Sequence, residues 1–61
     1  MKRRDLIKKL KHIAKEQGKS YTITEGGNHT KVYIGKLMVA VPRHSDVNER
    51  TAQGILKEAQ E

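Results

Sequence analysis

The chain contains no cysteine, no tryptophan and no phenylalanine, and only one proline and two tyrosines among its 61 residues. Without cysteine, neither a disulfide nor a thiolate zinc site can staple the fold, and cysteine usage says nothing of compartment. With Tyr21 and Tyr33 as the only aromatics, base stacking is not expected to be the main source of affinity for a single strand. No apolar run approaches the roughly 20 residues that cross a bilayer, so no membrane partner is expected. Met1-Lys2-Arg3-Arg4 is basic, but an amphipathic pattern follows it rather than a solid apolar stretch. A secretory signal is therefore not expected, and the cytoplasm is the expected location. So short a chain makes one domain, residues 1–61, and buries only about 60% of the surface its unfolded form exposes, which makes for marginal stability.

What is present is positive charge, unevenly placed. The formal net charge is +6 and the pI about 9.9. Residues 1–19 hold eight Lys/Arg against Asp5 and Glu16, a net of +6; residues 20–44 add a net of +2, with Glu25 the single acid; residues 45–61 carry a net of −2. A basic front and a mildly acidic tail point to a polyanion or an acidic protein as partner, with a solvated lysine-rich surface as the plain alternative.

Residues 5–17 read as a helix, because Leu6, Ile7, Leu10, Ile13 and Ala14 fall on one face at helical spacing. Asp5 suits the positive end of its dipole and Lys15 the negative end, and Gly18 suits the left-handed residue just past the end. Arg4, Lys8, Lys11 and Lys15 form a stripe opposite the apolar face; they are candidate RNA contacts, or ordinary solubilising charge. Residues 20–25 alternate and are rich in β-formers, residues 29–34 form a second strand and residues 37–41 a third. Gly26-Gly27-Asn28 breaks the first from the second, with glycine there for a positive φ. Gly35-Lys36 fits a two-residue loop of type II′, and Pro42 ends the third strand. Residues 49–59 form a second helix with Ala52, Ile55, Leu56 and Ala59 on its inner face, Asn48 as N-cap and Val47 with Ala52 as a hydrophobic staple. Gly54 weakens this helix by about 1 kcal/mol relative to alanine; close backbone packing is one reason for it.

The fold class expected is α+β: helix, three-stranded antiparallel meander, helix, with both helices on one face of the sheet. The second hairpin sorts the side chains. Ile34 faces Leu37, Val32 faces Val39 and Thr30 faces Val41, a set that is apolar but for Thr30 and belongs under the helices. Tyr33 with Met38, Lys31 with Ala40 and His29 with Pro42 then belong on the open face.

That assignment leaves His29 exposed at the mouth of the second strand, after the glycine turn, with Lys31 and Tyr33 following on the same face. An imidazole takes and gives protons near neutral pH. The same register, extended, sets His44 opposite Gly27 and near His29. Two such histidines beside a basic surface suit RNA transesterification, one deprotonating a 2′-hydroxyl and the other protonating the leaving 5′-oxygen; the alternative is two surface histidines with no role. A metal site from His29 and His44 needs further ligands, and Asp46 is the only acid nearby. Nothing sets Ser20 or Ser45 beside a base, and Gly26-Gly27 lacks the ending of a phosphate-binding loop. Neither a metal nor a cofactor is expected.

Several segments together resemble the HicA family of toxins. The opening Met1-Lys2-Arg3-Arg4-Asp5-Leu6-Ile7-Lys8-Lys9-Leu10 is similar to theirs. Glu25-Gly26-Gly27-Asn28-His29 resembles their Gly-Ser-His segment in an Asn-His form, and Val41-Pro42-Arg43-His44 their Val-Pro-x-His stretch. Asn48-Glu49-Arg50-Thr51-Ala52 with Ile55-Leu56-Lys57 resembles their closing helix. The likeness spans nearly the whole chain in one order. It implies an α-β-β-β-α fold like that of double-stranded-RNA-binding domains, and metal-independent cleavage of mRNA that blocks translation. It implies His29 as the catalytic histidine, and an antitoxin of the HicB type that covers the active site. The rival expectation is a non-catalytic RNA-binding module of the same fold. The chain departs from the family where many members carry an arginine before the glycine motif, a position here taken by Thr24 and Glu25. It also departs at Asn28, in place of serine, and at Arg50-Thr51, in place of Gly-Thr. Lys31 and Arg43 are left as the cations for phosphate near the motif.

Overall fold

A computed structural model describes residues 1–60. The order of elements is α1 (Arg3–Glu16), β1 (Tyr21–Gly26), β2 (His29–Ile34), β3 (Leu37–Pro42) and α2 (Glu49–Gln60), and the strands form one antiparallel sheet in the order β1-β2-β3. This is the α-β-β-β-α architecture expected, with the two helices against a three-stranded sheet. No helix among these residues is long and apolar enough to cross a membrane.

Helix α1 starts two residues earlier than its apolar spacing suggests: the Leu6 N–H reaches the Lys2 carbonyl at 3.0 Å, and the Arg3 N–H, which has no partner within the helix, reaches the Ser45 carbonyl at 2.9 Å. Its far end closes in a Schellman motif. Gly18 takes φ +65°, its N–H reaches the Lys15 carbonyl at 3.2 Å, and the Lys19 N–H reaches that of Ala14 at 2.9 Å. The last carbonyls of the helix thereby find donors, and a residue without Cβ carries the left-handed turn. At the start of α2, the Asn48 Oδ1 accepts from the Arg50 N–H at 2.9 Å, as its place at the N-cap predicts. Val47 and Ala52, on either side of that cap, are both buried in the core.

Both hairpins turn through two-residue loops with glycine first. Gly35 has φ +61° and Gly27 φ +56°, while no non-glycine residue among those described has a positive φ, the pattern of a type II′ turn. Within the Gly26-Gly27-Asn28 segment, then, only Gly27 needs glycine's freedom. Gly26 is not a turn residue at all; it is the last residue of β1, paired with His29.

The register between β2 and β3 is the one the alternation requires: His29 with Pro42, Thr30 with Val41, Lys31 with Ala40, Val32 with Val39, Tyr33 with Met38 and Ile34 with Leu37. Val32, Ile34, Val39 and Val41 are buried together with Leu6, Leu10, Ile13 and Ala14 from α1 and Ala52, Ile55 and Ala59 from α2. Each fully buried aliphatic side chain among them contributes on the order of 1.5–3 kcal/mol. Strand β1 differs. Its alternation is present in the sequence, yet none of its residues is buried, and Ile23 is 42% exposed although it pairs with buried Val32. Tyr21, at the start of β1, packs against the core, but the helices leave Ile23 further along this edge strand uncovered.

Gly54 has no close neighbour. A Cβ built on it meets nothing within 4 Å, so backbone packing does not explain this glycine.

Candidate functional site

The first two residues of β2 point in opposite directions, and both matter. Thr30 faces inward and is fully buried. A buried hydroxyl must find partners, and Thr30 finds two: it donates to the Glu25 carboxylate and accepts from the Arg3 guanidinium. The same Arg3 nitrogen lies 3.4 Å from the Glu25 carboxylate. These three residues tie the start of α1 to the end of the β1–β2 hairpin. The Thr30 hydrogen bond, with the charges of Arg3 and Arg43, holds the Glu25 carboxyl below the usual glutamate range, against a smaller opposing effect of desolvation.

His29, the neighbour of this anchored threonine, faces outward and is exposed. It is flanked by Gly26 on one side and Pro42 on the other, so its backbone is fixed in the middle of the sheet's end while its imidazole is free. Beyond Pro42 the chain departs from the register the sequence suggests. The ladder does not continue to set His44 opposite Gly27. Proline has no N–H to extend it, and residues 43–45 bend away instead. Residues 45–47 pair with the chain's opening: the Arg3 N–H reaches the Ser45 carbonyl at 2.9 Å, the Val47 N–H reaches the Met1 carbonyl at 2.7 Å, and Lys2 bridges Asp46. Arg43 fastens this segment to the glycine turn, donating to the Gly27 carbonyl at 3.3 Å.

His44 nevertheless joins His29. The two histidines line one open cleft of about 450 Å³, whose other walls are Gly27, Asn28, Pro42 and Arg43. A second cleft of about 520 Å³ adjoins it and shares Arg43; its lining is completed by Lys2, Arg3, Arg4, Ser45 and Asp46. Both volumes lie within the range of ligand-sized clefts.

The remaining cations expected to contact RNA are distributed more widely. Lys31 is exposed on the open sheet face, and Lys8, Lys11 and Lys15 are exposed along α1; none of them lines either cleft. Lys8 borders a separate groove between α1 and α2, with Lys9, His12, Ile13, Glu16, Leu56 and Gln60. The third histidine, His12, pairs with Glu16 at 3.0 Å one helical turn away. Of the cations read from sequence as RNA contacts, then, only Arg43 lines the cleft of His29, and Arg4 lines the cleft that shares Arg43 with it.

Lys2 and Arg3 are the residues that sequence reasoning passed over, because a helix read as starting at residue 5 leaves them in an unassigned tail. One signal was there. Thr30 is the only polar side chain in a register set that must be buried, and such a hydroxyl needs a donor or acceptor brought in from elsewhere. Among the described residues no group of three or more His, Cys, Asp or Glu side chains is placed to hold a metal ion.

Compared with protein-family models, with curated proteins and with solved structures, the chain finds no match.

Proposed function

We propose that this chain is a histidine-dependent endoribonuclease of the HicA type, the toxin of a toxin–antitoxin pair that blocks translation by cutting mRNA in the cytoplasm. The observation that supports it most is the cleft shared by His29 and His44 at the end of the sheet, walled by the glycine turn and by Arg43. It stands beside the resemblance of the Glu25–His29, Val41–His44 and flanking segments to that family. In this reading Arg43 holds the scissile phosphodiester. His29 takes the proton of the 2′-hydroxyl, the 2′-oxygen attacks phosphorus, and the bond from phosphorus to the 5′-oxygen breaks. His44 gives a proton to that leaving oxygen. The products are a 2′,3′-cyclic phosphate and a free 5′-hydroxyl. The reaction calls for no metal, and a HicB-type antitoxin is the expected partner, covering the cleft.

The test uses purified protein and a defined single-stranded RNA. Cleavage is expected to survive a chelator, to yield 2′,3′-cyclic phosphate ends and to spare DNA, which lacks the nucleophile. His29→Ala should abolish cleavage, with the circular dichroism spectrum and thermal midpoint unchanged. His44→Gln should slow it and remove one limb of a bell-shaped pH–rate profile. Full activity in folded His29→Ala protein would overturn the assignment. An unaltered rate and pH profile in His44→Gln would leave His29 working alone. The second reading is a non-catalytic RNA-binding module; the exposed cations away from the histidine cleft favour it, since they supply affinity without chemistry. RNA binding by wild type with no cleavage at any pH would establish that reading instead.

A further inference from the structure

We infer that the cleft beside the histidines, lined by Lys2, Arg3, Arg4, Arg43, Ser45 and Asp46, is a second phosphate subsite that holds the RNA strand next to the bond being cut. This inference rests on the ribonuclease reading and extends it from the reacting phosphate to its neighbour.

Three features carry it. The first is charge. Four cations converge from two distant stretches of chain, Lys2–Arg4 and Arg43, against one lining carboxylate, Asp46. They are brought together by the backbone pairing of residues 1–3 with residues 45–47. Three of the four are arginines, whose planar forks match the geometry of a phosphodiester. The second is continuity. Arg43 belongs to both clefts and is fastened by one N–H to the Gly27 carbonyl. A strand leaving the histidine cleft on the Arg43 side meets the second cleft directly. The third is what the lining lacks. No aliphatic or aromatic residue belongs to it, so it offers no apolar pocket for the anchoring side chains on which protein partners depend. A repeating phosphate backbone fits such a surface better than an acidic peptide does.

Glu25 sets a limit on the site. Its carboxylate engages Arg3 and feels the charge of Arg43, so part of the positive field is already used within the protein. Lys2 and Arg4 are exposed and carry the share left for a ligand.

The experiment measures fluorescence anisotropy with single-stranded RNA made wholly of 2′-O-methyl nucleotides, which cannot be cut by 2′-hydroxyl attack. The strands are lengthened one nucleotide at a time, and binding is followed across a salt series. Wild type should gain affinity in a step when the strand becomes long enough to fill the second cleft. Lys2→Gln with Arg4→Gln should remove the step and lower the salt slope by about 0.7 for each phosphate no longer neutralised. Circular dichroism verifies that the pair is folded. A control with Lys8, Lys11 and Lys15 changed to glutamine should keep the step. If wild type binds RNA without a step, or the pair keeps both step and slope, the subsite is refuted while the ribonuclease reading stands. If wild type binds no RNA even at low salt, that reading fails and the subsite with it. A polyglutamate peptide that binds wild type and loses affinity in the pair, while RNA binding is unchanged, would reassign the cleft to an acidic protein partner.

Discussion

Glu25 is the single acid between residues 20 and 44, and it stands with its carboxylate against Arg3 and within the field of Arg43. Its folded carboxyl is held below the ordinary glutamate value of about 4.3. A group depressed in this way contributes stability above that ordinary value, and the contribution is lost as pH falls through the folded one. Glu25→Gln should therefore lower the thermal midpoint slightly at neutral pH, with the gap to wild type closing as both are taken into acid. The effect is small because the group is exposed and screened by solvent. The same change removes the negative charge beside Arg3 and Arg43, so RNA binding should tighten as stability falls. An equal stability gap at every pH would mean that the carboxylate's charge is not what matters there.

Among the elements, α2 carries an avoidable weakness. Gly54 lies in its interior with open space where a Cβ would stand, so Gly54→Ala should stabilise the protein by up to about 1 kcal/mol through helix propensity alone. A thermal melt that shifts downward instead would reveal a constraint on that position outside the folded monomer. The helices and hairpins were legible in the sequence because each rests on local chemistry: the apolar spacing of Leu6, Leu10 and Ala14, the Asn48 cap, and the glycine-first loops that fix the register through to His29 opposite Pro42. What was not legible is the joining of segments far apart in the chain. Nothing local in Lys2 and Arg3 announces a partner at residues 45–47, and Pro42 marks where the ladder ends but not where Arg43 and His44 then turn. The alternation of β1 misled in a different way. It reports a strand, but not how far the helices extend over it, and Ile23 stays exposed as a result.

At the scale of the whole molecule, the positive charge divides between the clefts at the sheet's end and the exposed face of α1. The α1 lysines at 8, 11 and 15 are exposed and do not line the histidine cleft, so on the proposed function their part is confined to a field that salt screens. Changing all three to glutamine should flatten the dependence of RNA affinity on salt and leave kcat at saturating substrate unchanged. A fall in kcat would require these lysines to touch the reacting strand. The joining of the chain's opening to residues 45–47 has a consequence of another kind, in the order of assembly. The two hairpins close over two-residue loops and pair sequence neighbours, a low contact order that favours rapid formation. The pairing of Lys2 with Asp46 closes a loop of more than forty residues, and such closure costs chain entropy that only the finished core offsets. The strands that present His29 are therefore expected to form early and the basic cleft beside them late. Native-state hydrogen exchange should find the Arg3 and Val47 amides opening at a lower free energy than the β2 amides, and equal protection would mean that the two form together.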